Sequence, residues 1–536
     1  MIYIERGSKV NNSEKKGNKK KGIIAIIITV LLIAGGGTAA FVLSNVSGKQ
    51  AYFLAEKNTM ESMSNFYSER YKGELDWNDV TYEKPTDHAV ELSAEYNGPT
   101  NAAQGYDTVD PAQIINNSSI TLNAQSDMNE KEMAIDIAAD ISGLEIDGIE
   151  TFLTDEKLVI GLPFLDDMLQ ITEEDFGPLL HELDPMSFTG EESMDLNTIF
   201  EKTGPLTEDE IEHFKEEYGK AIYDELPDDA FTSSEETIVV NGDEVKTEKV
   251  ELHLTEQQVK DILSMVLEKM EKDEIIKGII ETQIENNLFA EETIDQIESN
   301  VESALSEYET AISTVREGIE DDEFVINNGF NSTIWVHDDT IVQRELSIEL
   351  GKANELVSLE INGTQLVSDS IHQFDYDFNF ADEYTDGTMN IAGELTWEDN
   401  KASDSINLTV DEYVLSYDGN ETLEDGTRDF DRTFSFKDPT FTGSLIWEGS
   451  STYDKDQMNA EHQFSVESPE IAPNLFNLYV SVDGKQIDSV EMPNEENIVD
   501  LGKMSLDELA AYVESDINPK FQNWLFQLMS TGGIGF

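Results

Sequence analysis

The stretch Phe374–Phe380 reads FDYDFNF, and its strict alternation decides the fold class. Aromatic residues occupy every second position, and aspartate or asparagine lies between them. Successive side chains of a β-strand point to opposite sides, so the stretch predicts a strand with one apolar and one solvated face. Antiparallel sheets are commonly solvated on one side. We therefore predict antiparallel sheets whose apolar faces need other elements to cover them.

Turn signals occur on both sides of this stretch. Asn-Gly and Asp-Gly pairs favour the positive φ angles that two-residue hairpin turns require. Five such pairs interrupt alternating runs: Asn241-Gly242, Asn362-Gly363, Asp386-Gly387, Asp418-Gly419 and Asp483-Gly484. We predict a hairpin turn at each pair.

Helices are predicted where a threonine or serine precedes a glutamate or glutamine by three residues. This capping-box pattern occurs at Thr207–Glu210, Thr255–Gln258 and Ser505–Glu508. Apolar residues also recur at threes and fours over Glu291–Ile319, a pattern that could form a coiled-coil seam or the inward face of an amphipathic helix. We predict the inward face. Separate runs of strands and amphipathic helices are typical of an α+β fold with large curved antiparallel sheets covered by helices.

The N-terminal region predicts a membrane anchor. Residues 23–43 carry no charge, and at 1.5 Å per residue they would span roughly 31 Å, about the thickness of the hydrocarbon core. Five lysines precede this segment between residues 15 and 21, so the positive-inside rule keeps residues 1–22 in the cytoplasm as a basic tail. A cleaved signal peptide is the alternative, with Thr38–Ala40 offering small residues. We predict a single-pass cell-membrane protein with the bulk of the chain extracytoplasmic.

Charge and cysteine content restrict the partners. The net charge is −78, and residues 51–536 hold 26 basic and 110 acidic side chains. Such a surface repels nucleic acid and attracts cations or basic envelope partners. There is no cysteine, which excludes disulfides, thiolate nucleophiles and a lipidated N-terminal cysteine. Cysteine-free exported proteins are common in Gram-positive bacteria.

The order of these patterns predicts three regions beyond the anchor. Residues 44–254 form a first extracytoplasmic α+β region, residues 255–320 a helical segment, and residues 321–536 a second β-rich region with a C-terminal helix.

Signatures of catalysis are missing from the sequence. The seven histidines are scattered without metal-ligand spacing, and the many carboxylates match no calcium loop. Nucleophile elbows, Walker loops and dinucleotide fingerprints are also missing. We accordingly predict no catalytic, cofactor-binding or metal-binding residue and no cofactor.

Three stretches carry a resemblance to known proteins: TFLTDEKLVIGLPFLDDMLQI at Thr151–Ile171, VNGDEVKTEKVELHLTEQQVKDIL at Val240–Leu263, and WVHDDTIVQRELSIEL at Trp335–Leu350. Their order resembles a family of membrane-anchored Bacillus-type proteins, and more distantly the LolA-like lipoprotein-carrier half-barrels. That resemblance implies one enlarged or two tandem half-barrel-like units, with a curved sheet closing over helices around an apolar cavity. The missing lipobox cysteine and the greater length depart from the carriers.

These observations predict a non-enzymatic, membrane-anchored extracytoplasmic protein that binds other molecules or associates with the cell envelope. An apolar ligand or a lipid would bind between sheet and helices. Two alternatives stay open: a carboxylate- or calcium-dependent enzyme acting on envelope polymers, and an oligomeric surface scaffold assembled through Glu291–Ile319.

Overall fold

The computed structural model describes ten parts of the chain, with residues 47–98, 111–184, 188–190, 194, 196–200, 207–287, 294–352, 355–382, 386–493 and 497–531. The described residues divide into two compact units. Unit 1 contains those up to residue 66 and those from 204 to 393, and unit 2 contains those from 67 to 203 and from 394 onward. Each unit is therefore built from separate segments of the chain, whereas the predicted regions are contiguous.

The fold class is α+β, as predicted. Twenty strands are described, and their described pairings are antiparallel except for one. The sequence pattern settled the class because alternation and helical periodicity are both local signals.

Unit 1 contains six strands that pair in chain order. They are β7 (Phe231–Val240), β8 (Asp243–Leu254), β9 (Phe324–His337), β10 (Thr340–Lys352), β11 (Glu355–Val367) and β12 (Ile371–Ala381). The following strand, β13 (Asp386–Thr396), contains the boundary between the units in the sequence.

Unit 1 contains six described helices, most of which pack apolar side chains in one hydrophobic core with the strands. These helices are α1 (Gly48–Arg70), α5 (Glu208–His213), α6 (Lys220–Glu225), α7 (Glu256–Lys272), α8 (Glu274–Asn287) and α9 (Ile294–Glu320). Only the residues of α1 up to residue 66 belong to unit 1. Ile312, Val315 and Ile319 of α9 lie in this core, so the described end of the predicted stripe packs against the protein itself. A π-helical turn (Phe214–Gly219) joins α5 to α6, and a 3₁₀ turn (Asp228–Ala230) precedes β7.

Unit 2 contains two runs of consecutive strands that meet where β19 pairs with β1. The first run is β14 (Lys401–Val410), β15 (Tyr413–Glu424), β16 (Thr427–Lys437), β17 (Thr442–Tyr453), β18 (Gln457–Glu467) and β19 (Phe476–Gln486). The second is β1 (Thr86–Tyr96), β2 (Ser118–Asp127), β3 (Glu132–Ile141), β4 (Leu144–Thr154), β5 (Lys157–Gly161) and β6 (Met168–Thr172). The short β20 (Ile498–Asp500) pairs in parallel with β6.

The described helices of unit 2 have at most 14 residues, whereas the longest of unit 1 has 27. They are α2 (Lys72–Glu83), α3 (Pro111–Asn116), α4 (Glu173–Leu183), α10 (Leu506–Tyr512) and α11 (Asn518–Thr531). A π-helical turn (Val513–Ile517) joins α10 to α11, and 3₁₀ turns cover Asn197–Phe200 and Leu501–Lys503.

The three predicted capping boxes are confirmed at Thr207, Thr255 and Ser505, where side chain and backbone bond reciprocally. The hairpin turn at Asn241-Gly242 is confirmed as well, with φ angles of 53° and 94°.

The other four predicted hairpin turns are wrong, because those glycines lie within strands or, for Asp386-Gly387, at the start of β13. Three of the glycines are instead sites of close approach: a Cβ on Gly363 would meet Tyr376, one on Gly419 would meet Tyr417, and one on Gly484 would meet Trp77. The described turns use aspartate and asparagine at positive φ, for example Asp411 and Asp425.

The predicted localisation in the cell membrane through a single spanning helix is corrected. No helix among the described residues combines the length and the apolar character needed to cross a bilayer. The segment 23–43, on which that prediction depended, lies outside the described residues, as does the basic tail 1–22.

Candidate functional site

One face of the unit 2 sheet is apolar along successive strands. Cross-strand pairs show which side chains share it: Leu408 pairs with Leu415, Leu415 with Phe436, and Leu445 with Val466. The intervening positions, such as Asn407 and Glu448, share the opposite face with serine, threonine and acidic residues. We call the first side the apolar face and the second the polar face.

At one end of β14–β18, the apolar face forms a groove of about 730 Å³, which we call the apolar groove. Its aliphatic and aromatic lining includes Ile406, Leu408, Leu415, Phe434, Phe436 and Leu445. Pockets of this volume are typical of small-molecule binding sites.

The groove's side chains are more exposed than a dry core allows. Leu415 is 49% exposed, Phe434 40% and Phe441 50%. Their rings still contact neighbours, since Phe434 lies 5.0 Å from Tyr417 and Phe441 lies 6.3 Å from Phe436 between ring centroids. The groove is therefore an ordered apolar surface that the described residues leave open.

The other end of the apolar face carries a buried charge cluster. Arg70 donates two hydrogen bonds to Asp404, at 3.0 and 2.6 Å, and a third to Glu421 at 2.6 Å. Arg428 donates to Glu421 at 2.5 Å and to Glu74 at 2.7 Å. Bidentate arginine–carboxylate pairs are strong and geometrically specific, so the cluster holds the end of α1 to strands β14–β16.

Electrostatics in this cluster favour the ionised forms. Burial alone would raise the pKa of Glu421, but hydrogen bonds and charge from Arg70, together with Arg428 and Arg432, hold it below its ordinary value. Although burial opposes the charge of Arg70, its bonds to Asp404 and Glu421 raise its pKa. Both carboxylates, Asp404 and Glu421, are bonded to arginines, which leaves neither free for acid–base chemistry.

Aromatic residues separate the charge cluster from the groove. Burial raises the pKa of Tyr417 to about 12. The guanidinium carbon of Arg432 lies 4.3 Å from the ring centre of Phe430 and 4.6 Å from that of Trp447. The Trp447 Nε1 donates to His462 Nδ1 at 3.2 Å, which fits a neutral imidazole because burial and the Arg432 charge lower the pKa of His462.

Helix α2 covers part of the apolar face beside the cluster. The Trp77 ring lies 5.8 Å from the His88 ring and directly over Gly484, where a Cβ would lie 2.9 Å from the indole. This end is closed, whereas the groove end is open.

A second polar cluster lies at the π-helical turn of unit 1. The Asp273 Oδ2 accepts hydrogen bonds from Tyr218 at 2.5 Å and His213 at 2.7 Å, while Oδ1 accepts from the backbone of Ile275 and Ile276. Burial would raise the pKa of Asp273, but these bonds lower it. Every carboxylate oxygen is occupied, so the cluster joins α5 to the start of α8.

The remaining histidines are not brought together. In the part of the chain that the structure describes, no group of three or more histidine or acidic side chains is arranged to hold a metal ion. The predicted absence of catalytic, cofactor-binding and metal residues stays a prediction.

Sequence reasoning missed the charge cluster because Arg70 and its partners lie more than 330 positions apart. One signal was present: the chain has only six arginines, and the five beyond residue 50 all pair with carboxylates in the structure. The alternation of apolar and polar residues indicates that a strand has an apolar face. It does not indicate whether other elements cover that face, so it could not locate the groove.

Comparisons with known proteins return only distant structural likenesses. No protein-family model and no curated protein matches the sequence. Among solved structures, the chain is similar to Pseudomonas aeruginosa OccK3 (OpdO) at 6% identity and a TM-score of 0.23, with 75% of this chain and 95% of that chain covered. It is also similar to Acinetobacter baumannii OccAB3, at 6% identity and a TM-score of 0.23 with 75% and 98% covered. For a loop-deletion mutant of the Vibrio cholerae outer membrane protein OmpT, identity is 9% and the TM-score 0.16, with 75% and 97% covered. TM-scores this low establish no shared fold and no shared function.

Proposed function

We propose that this protein is a non-enzymatic binding protein whose apolar groove takes up an aliphatic chain. The observation that carries the proposal is the exposure of ordered apolar side chains on β14–β18, among them Leu415, Phe434 and Leu445. Leaving such a patch in water is costly, and large exposed apolar patches mark binding surfaces.

The shape and chemistry of the lining favour a hydrocarbon over a polar ligand. Alternate side chains from adjacent strands form a continuous strip across the strands, with few side-chain hydrogen-bonding groups directed into it. Each methylene that leaves water contributes about 0.8 kcal/mol. About ten methylenes, half-buried in an open groove, would contribute about 4 kcal/mol before the cost of association.

The structure offers less support for an enzyme. Asp404 and Glu421, the buried carboxylates of the apolar face, are held by arginines and have no free oxygen for a substrate. The calcium-dependent enzyme and the oligomeric scaffold remain alternatives without a specific supporting contact. The likeness to lipoprotein-carrier half-barrels also remains a proposal. Its only physical support is that an apolar face of the sheet is open.

The proposal is tested by titrating the full-length protein with N-phenyl-1-naphthylamine, a neutral probe that fluoresces in apolar surroundings. We expect saturable binding to the natural sequence. Replacing three groove residues by serine (Leu415→Ser, Phe434→Ser, Leu445→Ser) should weaken it at least about tenfold, or about 1.4 kcal/mol.

The matched control replaces three exposed apolar residues outside the groove (Val239→Ser, Ile275→Ser, Phe526→Ser). This variant should bind the probe as the natural protein does, and thermal melts establish that both triple variants are folded. Equal weakening by the two variants, or probe binding that never saturates, would contradict the proposal.

A further inference from the structure

We infer that the ligand of the apolar groove carries a positive charge at the end of its aliphatic chain. This inference rests on the proposed function and adds the class of ligand. It follows from where the strands of the groove turn and from which charges lie at those turns.

Three turns border the open end of the groove. They join β14 to β15, β16 to β17 and β18 to β19, and they all lie at the same end of these antiparallel strands. Phe441 and Ile471 come from two of these turns and line the groove. A chain lying in the groove therefore places its end group beside the turns.

The turns are acidic. Asp411 and Glu412 form the first, Asp438 begins the second, and Glu470 borders the groove at the third. The single basic residue at these turns is Lys437, which alternates with the groove side chains and so lies on the polar face.

One of these carboxylates also shapes the groove. Asp438 accepts hydrogen bonds from the backbone of Thr440 at 2.6 Å and of Phe441 at 2.8 Å, which fixes the Phe441 ring at the rim. Hydrogen bonds from the Thr440 side chain and from this backbone lower the pKa of Asp438. It therefore stays charged where the ligand's end group would lie.

The opposite end of the apolar face has no such imbalance. The buried cluster there contains three arginines and three carboxylates, bonded to one another. An anionic end group would thus meet negative charge at the turns, while the positive side chains described on this face are bonded within the cluster. The net charge of −78 adds a long-range field of the same sign, which attracts cations and repels anions.

The resulting ligand class is an amphiphile with a straight hydrocarbon chain and an ammonium-type group. A fatty acid of the same length fits the groove but is disfavoured at its charged end. A neutral amphiphile should bind with intermediate affinity, because it gains the apolar contact without electrostatic attraction or repulsion.

The test uses three detergents of equal chain length, each below the concentration at which it forms micelles. Dodecyltrimethylammonium, dodecyl maltoside and dodecanoate are titrated by calorimetry into the full-length protein. We expect the cation to bind on the order of tenfold tighter than the neutral detergent, and the anion weakest. The preference should shrink as the salt concentration rises from about 0.05 M to about 0.5 M, since screening weakens exposed charges.

Two variants that lose the same number of negative charges show which carboxylates cause the preference for the cation. Glu412→Gln and Glu470→Gln together should reduce the ratio of cation to neutral affinity. Asp429→Asn and Asp431→Asn remove the same charge from the polar face and should preserve the ratio.

Each outcome bears on one claim. Failure of all three detergents to bind overturns the proposed function. Equal binding of the three, or tighter binding of the anion, overturns the positive charge while the groove's function stands. Equal loss of the ratio in both variants overturns the assignment to the turns, because the charge of the whole chain then sets the preference.

Discussion

At the scale of single residues, the buried charge cluster determines how the apolar face of unit 2 is closed. Arg70, Asp404 and Glu421 are each no more than 5% exposed. Desolvating such groups is expensive, and only multiple hydrogen bonds offset that cost. The three arginines of the cluster all bond to carboxylates. These bonds therefore specify where α1 ends on the sheet.

Replacing Glu421 by glutamine should destabilise the protein by about 3 kcal/mol, because the buried Arg70 and Arg428 lose their shared counter-charge. Urea unfolding measures the difference. Glu424→Gln, at the exposed end of the same strand, is the control and should change stability by less than about 0.5 kcal/mol. A Glu421 variant as stable as this control would show that the cluster contributes nothing.

The same residue predicts a pH dependence. The pKa of Glu421 is lowered in the folded protein, since the arginine bonds outweigh the burial that raises it. Its ion pairs therefore stabilise fully above the ordinary value of 4.5, and that contribution is lost as the pH falls through the lower folded-state pKa. The difference in melting temperature between the natural protein and Glu421→Gln should be constant from neutral pH down to about 4.5 and shrink as the pH falls further. A difference that grows on acidification would contradict this sign.

At the scale of secondary structure, local chemistry was predictable and turn placement was not. The capping boxes at Thr207, Thr255 and Ser505 satisfy backbone groups within four residues, so sequence spacing alone finds them. Gly363 and Gly419 look like turn residues, but each lies in a strand beside a tyrosine ring. A glycine that makes room for a ring cannot be told from a turn glycine without the neighbouring strand.

Substituting Thr255 tests whether the predicted N-terminal cap stabilises α7. Thr255→Ala should destabilise the protein by about 1 kcal/mol, because the amide of Gln258 loses its acceptor. Thr255→Ser keeps the hydroxyl and should cost little. The comparison is made by urea unfolding, and identical losses in the two variants would count against the cap.

At the scale of the whole molecule, the sequence predicts the α+β class but not the division into units. In unit 2, β1 pairs with β19, whose residues lie almost 400 positions further along the chain. Pairings at that distance leave no periodic trace in the sequence. Which part of an apolar face stays uncovered depends on these pairings, so the groove could be located only in the structure.

The central claim is that the apolar groove holds an aliphatic chain, and photolabelling tests it most directly. A neutral alkyl probe bearing a diazirine is bound to the full-length protein, irradiated, and mapped by mass spectrometry. We predict labelling concentrated in residues 406–417 and 434–445, which excess dodecyl maltoside abolishes. Labelling that falls outside these residues, or that the competitor leaves unchanged, would contradict the account.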